Sequence, residues 1–176
     1  MEVFENSFLI RPIEPNDIPE ATCLINAAYR GESSRKGWTT EADLMDGMRT
    51  DEAGLVAMLN NPNATMLLRF DESKLSGTVF LEVRGDLLYL GMLTVRPELQ
   101  ANGIGRSLLV TAELFARERG LSKIEMWVFT QRVELIAWYE RLGYTWTGLL
   151  VPFVYTEDRF GKPKSELEFK VLQKEL

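Results

Sequence analysis

The chain has 176 residues, 45% of them hydrophobic, with 20 Lys and Arg against 26 Asp and Glu and a net charge of −6. That suffices for one domain over residues 1–176, burying roughly 70% of its unfolded surface. Zero histidines and a single cysteine exclude Ser-His-Asp triads, HExxH zinc helices, intrachain disulfides and thiolate metal clusters, and the acidic balance argues against nonspecific nucleic-acid binding.

Residues 1–5 are acidic and carry no signal-like apolar core. No apolar run approaches the roughly 18 residues of a membrane span, so a cytoplasmic location without membrane attachment is expected. Residues 8–11 read as a first strand, stopped by Pro12 and Pro15. Asn16 or Asp17 caps a helix running to about Tyr29, with Cys23 among its core-packing positions. Residues 31–40 read as a polar loop with one exposed aromatic, Trp38. Thr40 caps a second helix to about Arg49, and residues 52–59 form a third.

Three strands follow as an antiparallel meander, over residues 65–70, 76–84 and 87–95. In the second, Val79, Leu81 and Val83 alternate with Phe80, Glu82 and Arg84. Glu82 is thus mid-strand, either as a charge on a solvated face or with chemistry to do. After Pro97 comes Gln100-Ala101-Asn102-Gly103-Ile104-Gly105, then a helical pattern in which Ile104, Leu108, Thr111, Ala112 and Phe115 share one face. The first turn of such a helix has free N–H groups and the positive end of the dipole. Gly103 and Gly105 let an anion approach, and Arg106 adds a mobile charge. A P-loop needs Gly-Lys-Ser/Thr, and a dinucleotide loop needs a third small residue where Leu108 stands, so both fail.

Gly120 ends that helix, and residues 123–129 alternate as a strand, parallel to the previous one if the helix is a crossover. Residues 132–142 form a helix closed by Gly143, and residues 144–150 and 166–172 are strands around a long loop. Trp146, Phe153, Tyr155 and Phe160 cover either the core or a homodimer partner. The order β-α-α-β-β-β-α-β-α-β-β gives a mixed sheet with helices on both faces, of α/β (α+β) class.

Two segments carry a resemblance. Val95-Arg96-Pro97 with the following Gln-x-x-Gly-x-Gly, and Tyr139-Glu140-Arg141-Leu142-Gly143-Tyr144, together resemble the GNAT N-acetyltransferase superfamily along nearly the whole chain. The resemblance implies a mainly antiparallel central sheet of about seven strands. It implies acetyl-CoA as co-substrate and no metal. Backbone groups of Leu93 and Val95 would meet the pantetheine beside a splay between strands. The N–H groups of Gln100, Ala101, Asn102, Gly103, Ile104, Gly105, Arg106 and Ser107 would meet the pyrophosphate. Tyr139 would give a proton to the departing thiolate. The family often has Asn about seven residues before this tyrosine; here the residue is Arg132.

The reaction so implied is acetyl transfer from acetyl-CoA, in a ternary complex, to a primary amine of a small molecule or peptide. An alkylamine with a pKa near 10.4 is mostly charged at pH 7, so a base or water chain must remove a proton. Without histidine, Glu82 leads, followed by Tyr89 and Glu32. Tyr29, Glu32, Trp38, Glu41 and Tyr89 are candidates for the acceptor wall, against a plain solvated helix–loop–helix surface. A non-catalytic acyl-CoA-binding module and an acyltransferase for longer chains are the other readings these residues allow.

Overall fold

The structure, a computed structural model, describes residues 3–5, 8–156 and 158–176, the first three by their backbone alone. Strands β1 (Val3–Glu5) and β2 (Phe8–Pro12) pair antiparallel. The Asp17 carboxylate then accepts from Arg11 at 2.6 and 2.9 Å and from the Glu14 N–H at 2.8 Å, fixing the turn into α1 (Ile18–Tyr29). This helix buries Ala21, Leu24, Ile25 and Ala28. Cys23 is exposed, contrary to its expected place in the core. At about 100° per residue it falls on the face opposite Ala21 and Ile25.

A single helical turn, α2 (Gly31–Ser34), interrupts the expected loop. The helix expected from Thr40 to Arg49 does not form. Thr40 Oγ1 instead accepts the Ala42 N–H at 3.0 Å, a local turn that competes with helix. The chain then enters a two-residue strand, β3 (Met45–Asp46), and leaves it through Gly47 at φ 82°. α3 (Glu52–Leu59) is capped by Asp51, whose Oδ1 accepts the Gly54 N–H at 2.6 Å.

The meander follows as β4 (Ala64–Asp71), β5 (Lys74–Arg84) and β6 (Leu87–Val95), then α4 (Ile104–Glu118), β7 (Lys123–Phe129), α5 (Val133–Arg141) and β8 (Thr145–Pro152). A short β9 (Lys162–Pro163) pairs with β3, and β10 (Glu168–Glu175) inserts between β7 and β8. The sheet runs β1-β2-β4-β5-β6-β7-β10-β8 and is antiparallel except between β6 and β7. Its eight strands exceed the seven expected by the three-residue arm β1.

Alternation along β5 splits the apolar residues between two cores. Val79 and Leu81 pack with Leu108, Leu109 and Phe115 of α4 and with Ile136 of α5. Phe80 packs on the other face with Leu24 and Ile25 of α1 and Leu55 of α3. Helices therefore cover both faces and leave a gap where β6 meets β7.

Candidate active site

That gap starts from a defect in the sheet. Across β5 and β6, Thr78 pairs with Thr94 and Phe80 with Gly91, so Val79 alone faces Met92 and Leu93. The extra residue is a β-bulge, which bends the strand that carries it. Met92 absorbs it at φ 45°, a left-handed conformation rare for so bulky a side chain. Two hydroxyls secure its carbonyl oxygen, Thr94 Oγ1 donating at 2.9 Å and Thr78 Oγ1 at 3.5 Å. The parallel register with β7 then ends at the pair Tyr89 and Glu125.

Two cavities meet at the gap. The larger, about 420 Å³, is bounded by Leu93 to Val95, the start of α4, and Trp138 and Tyr139 of α5. The smaller, about 190 Å³, lies toward Tyr89, Trp127 and the rings of Phe129, Phe153 and Phe160. Tyr29, Leu93, Arg132, Leu135 and Tyr139 line both, and so form the partition between them.

The larger cavity ends at the start of α4. Gly103, the residue before α4, stands at φ 80°, and a Cβ built there meets nothing within 4 Å. Its requirement is therefore backbone conformation and not space. No side chain caps α4, so the N–H groups of its first turn and the positive end of its dipole remain for a ligand. Gln100, Ala101, Gly103, Gly105 and Arg106 line the cavity. Asn102, Ile104 and Ser107 turn their side chains elsewhere. Asn102 donates to Leu99 O at 3.2 Å, Ile104 enters the core, and Ser107 donates to Ile104 O at 2.8 Å while accepting from Arg69. These three have only backbone groups to offer. The Gln100 side chain ties the roof down, accepting the Trp38 N–H at 2.9 Å and donating to Val95 O at 3.4 Å. Gly37 admits it, since any Cβ there would overlap the Gln100 amide.

Tyr139 is buried on α5 and its hydroxyl has no hydrogen-bond partner among the described residues. Burial pushes its phenol far above the ordinary value of 10.0; Tyr29 adds to the rise and Arg132 opposes it. It therefore stays protonated throughout the neutral range. Tyr29 spends its own hydroxyl on Leu93 O, at 3.1 Å. Burial likewise raises Tyr29 and Tyr89.

The other sequence candidates lie apart. Glu82 lines neither cavity; its carboxylate accepts from Asn61 at 2.8 Å and from Arg84 at 2.7 Å. Glu32 is exposed, bonded to Arg35 at 3.2 Å, and also lines neither. Trp38 lines the larger cavity and not the smaller, whereas Tyr89 lines the smaller. Sequence reasoning missed Arg30, which follows α1 without any local signal. It is buried against Glu41 at 3.0 Å, and Arg132 reaches the same carboxylate at 3.1 Å. Among the described residues no group of three or more Cys, Asp or Glu is placed to hold a metal. Among the described residues, no helix is long and apolar enough to cross a membrane.

The arrangement can seat an anion at α4, place a polar chain along β6, and present a neutral phenol to whatever crosses the partition. Comparisons with known proteins bear on the family and the fold. The acetyltransferase (GNAT) family model matches residues 21–144. A mycothiol acetyltransferase of Rhodococcus erythropolis is 28% identical over 136 residues, covering 74% of this chain and 44% of that protein. An uncharacterised N-acetyltransferase of Methanocaldococcus jannaschii is 27% identical over 150 residues, 82% of this chain and 64% of that one. The chain thus spans less than two thirds of the length of either relative. Among solved structures, the ribosomal-protein-S18-alanine N-acetyltransferase of Escherichia coli superposes with a TM-score of 0.71 at 17% identity, over 96% of this chain and 93% of that one. The paia N-acetyltransferase of Thermoplasma acidophilum, solved in complex with coenzyme A, gives 0.65 at 19%, over 97% and 99%.

Proposed function

The chain belongs to the acetyltransferase (GNAT) family, and from that premise we propose that it moves an acetyl group from acetyl-CoA directly to a primary amine in a ternary complex. The observation that carries the reading is Tyr139: a buried, protonated, unbonded hydroxyl in the partition shared by both cavities. A phenol so placed has a donor role open to it and no structural bond to maintain.

The acyl donor is a substrate of the larger cavity. Its diphosphate meets the N–H groups around Gly103, Gly105 and Arg106, and its thiol arm runs past Leu93 and Val95. The amine enters through the smaller cavity. Its nitrogen lone pair forms a bond to the thioester carbonyl carbon. The carbon–sulfur bond breaks, and sulfur leaves with the electron pair and takes the proton of Tyr139. The surplus proton on nitrogen then restores the phenol through water. Arg30, Arg49 and Arg132 stand around the smaller cavity against one carboxylate, Glu41. An excess of positive charge disfavours the ammonium form, so the amine reaches the carbonyl neutral without a dedicated base. Glu82 keeps a place only behind Tyr89, its partner across the β5–β6 ladder; an unmoved acidic limb in Glu82→Gln removes it.

The experiment is thiol release from acetyl-CoA with a panel of amines, comparing the protein with Tyr139→Phe. Loss of the proton donor lowers kcat by about 100-fold or more, with acetyl-CoA affinity unchanged. Unchanged turnover removes Tyr139 from the chemistry. Binding of acetyl-CoA without transfer to any amine replaces the enzyme with a binding module, and faster turnover of propionyl- or succinyl-CoA makes it a longer-chain acyltransferase.

A further inference from the structure

The charge pattern of the smaller cavity bears on which amine it admits as well as on that amine's protonation. Buried Arg30 and half-buried Arg132 share the buried Glu41. Arg49, half-buried, stands beside them without an ion-pair partner among the described residues; its guanidinium lies 5.6 Å from the Tyr29 ring centroid. The Nε of Arg30, its Nη1 and the Nε of Arg132 are buried without hydrogen-bond acceptors, against one acceptor of the cluster, Glu41 Oε2, that is buried without a hydrogen-bond donor. Donors outnumber acceptors here, and positive charge exceeds negative by two. Arginine is the side chain that grips a carboxylate with two parallel hydrogen bonds. The remaining wall is apolar and already packed. Phe129 stacks on Phe169 at 4.3 Å and meets Phe153 edge-on at 5.6 Å.

We propose that the acceptor is an amine that also carries a carboxylate and an apolar side group, a hydrophobic amino acid, with its carboxylate held by Arg49 and its amine turned toward Tyr139. This rests on the acetyltransferase reading and names its substrate class. A polyamine is the opposite of what the cavity fits, because a second ammonium would face an arginine that has no counter-charge. The same arginines that hold the carboxylate lower the amine's proton affinity, so one charge excess performs both recognition and deprotonation. The cavity of about 190 Å³ is below the roughly 300–1,000 Å³ of drug-sized sites, which suits a small molecule.

The test pairs calorimetry with thiol release. L-phenylalanine, L-phenylalaninamide and phenethylamine are titrated into the protein with and without coenzyme A, and the same three are offered as acceptors with acetyl-CoA. L-phenylalanine binds at least about tenfold tighter than either carboxylate-free amine, the worth of one charge-assisted contact. Arg49→Gln brings that ratio near one, and Arg49→Lys retains part of it. Thermal melts of both variants confirm folding. Equal binding of the three ligands, no binding of L-phenylalanine, or an unchanged ratio in Arg49→Gln overturns the proposal. The two readings fail separately. Transfer to amines without carboxylate preference removes the inference and leaves the acetyltransferase. Carboxylate-dependent binding without thiol release keeps the anion site and removes the activity.

Discussion

Arg132, at the start of α5, reaches across 91 residues of sequence to donate to Glu41 Oε1 at 3.1 Å, while Arg30 holds the other oxygen of the same carboxylate at 3.0 Å. Its second terminal nitrogen donates to Thr39 Oγ1 at 2.8 Å. The segment that failed to become a helix is thereby fastened to the helix that carries Tyr139.

Among the described residues, Glu41 is the only acid in that cluster. Glu41→Gln leaves the buried Arg30 and the half-buried Arg132 without their shared counter-charge, and the expected loss of stability is about 3 kcal/mol. A urea titration measures it. A change under about 1 kcal/mol would show that water already compensates the cluster.

Two glycines at the head of α4 separate conformation from space. Gly103→Ala places a Cβ on a left-handed backbone, costing about 1–2 kcal/mol of stability although nothing crowds it. Gly105 is helical, and a Cβ there comes to 3.4 Å from Trp138 and 3.5 Å from Val95, ordinary contact distances. Gly105→Ala therefore keeps or gains up to about 1 kcal/mol, while its methyl enters the cavity and raises the KM for acetyl-CoA. Melting curves and KM values for the pair of variants check the contrast.

Tyr29→Phe removes a phenol that Leu93 O needs inside the protein. The lost bond is worth about 1 kcal/mol, a fall in Tm of about 2–4 °C for a chain of this size. It also frees a carbonyl of β6 at the partition, so acetyl-CoA affinity changes as well. A shift in Tm with identical acetyl-CoA binding would show that Leu93 O takes no part in the ligand site.

Stability has a limit at each end of the pH scale. Burial raises Tyr139 and Tyr144 above the ordinary 10.0. Their contribution is complete below about pH 10 and is lost as pH climbs toward the folded values, because the unfolded phenols ionise first. Hydrogen bonds from Arg11 to Asp17 and from Arg69 to Asp71 hold those carboxyls below the ordinary 3.8. Their contribution is complete above about pH 4 and is lost as pH falls through the lowered values. Urea midpoints across pH record both edges. Tyr139→Phe makes the alkaline fall shallower, and Asp71→Asn does the same for the acid fall.

The strands and long helices were legible because their burial follows simple periods. Val79 and Leu81 fall on one face of β5 and Phe80 on the other. Ile104, Leu108, Ala112 and Phe115 form the buried stripe of α4 that their spacing indicates. Non-local contacts decided the rest. Residues 40–49 carry a helix-like pattern, but Glu41 is drawn to Arg30 and Arg132, and Met45 pairs with Pro163. The bulge at Met92 depends on hydroxyls of Thr78 and Thr94 that sequence does not place together. Gly103 stands out by its left-handed conformation, whereas Arg30, Arg49 and Arg132 come from three separate segments and meet only in the fold.

The most direct test of the whole account is a crystal structure of the protein with coenzyme A. The diphosphate is expected against the N–H groups of Gly103, Gly105 and Arg106, and the thiol at the partition beside Tyr139. Coenzyme bound away from the start of α4, or with its sulfur remote from Tyr139, would contradict it.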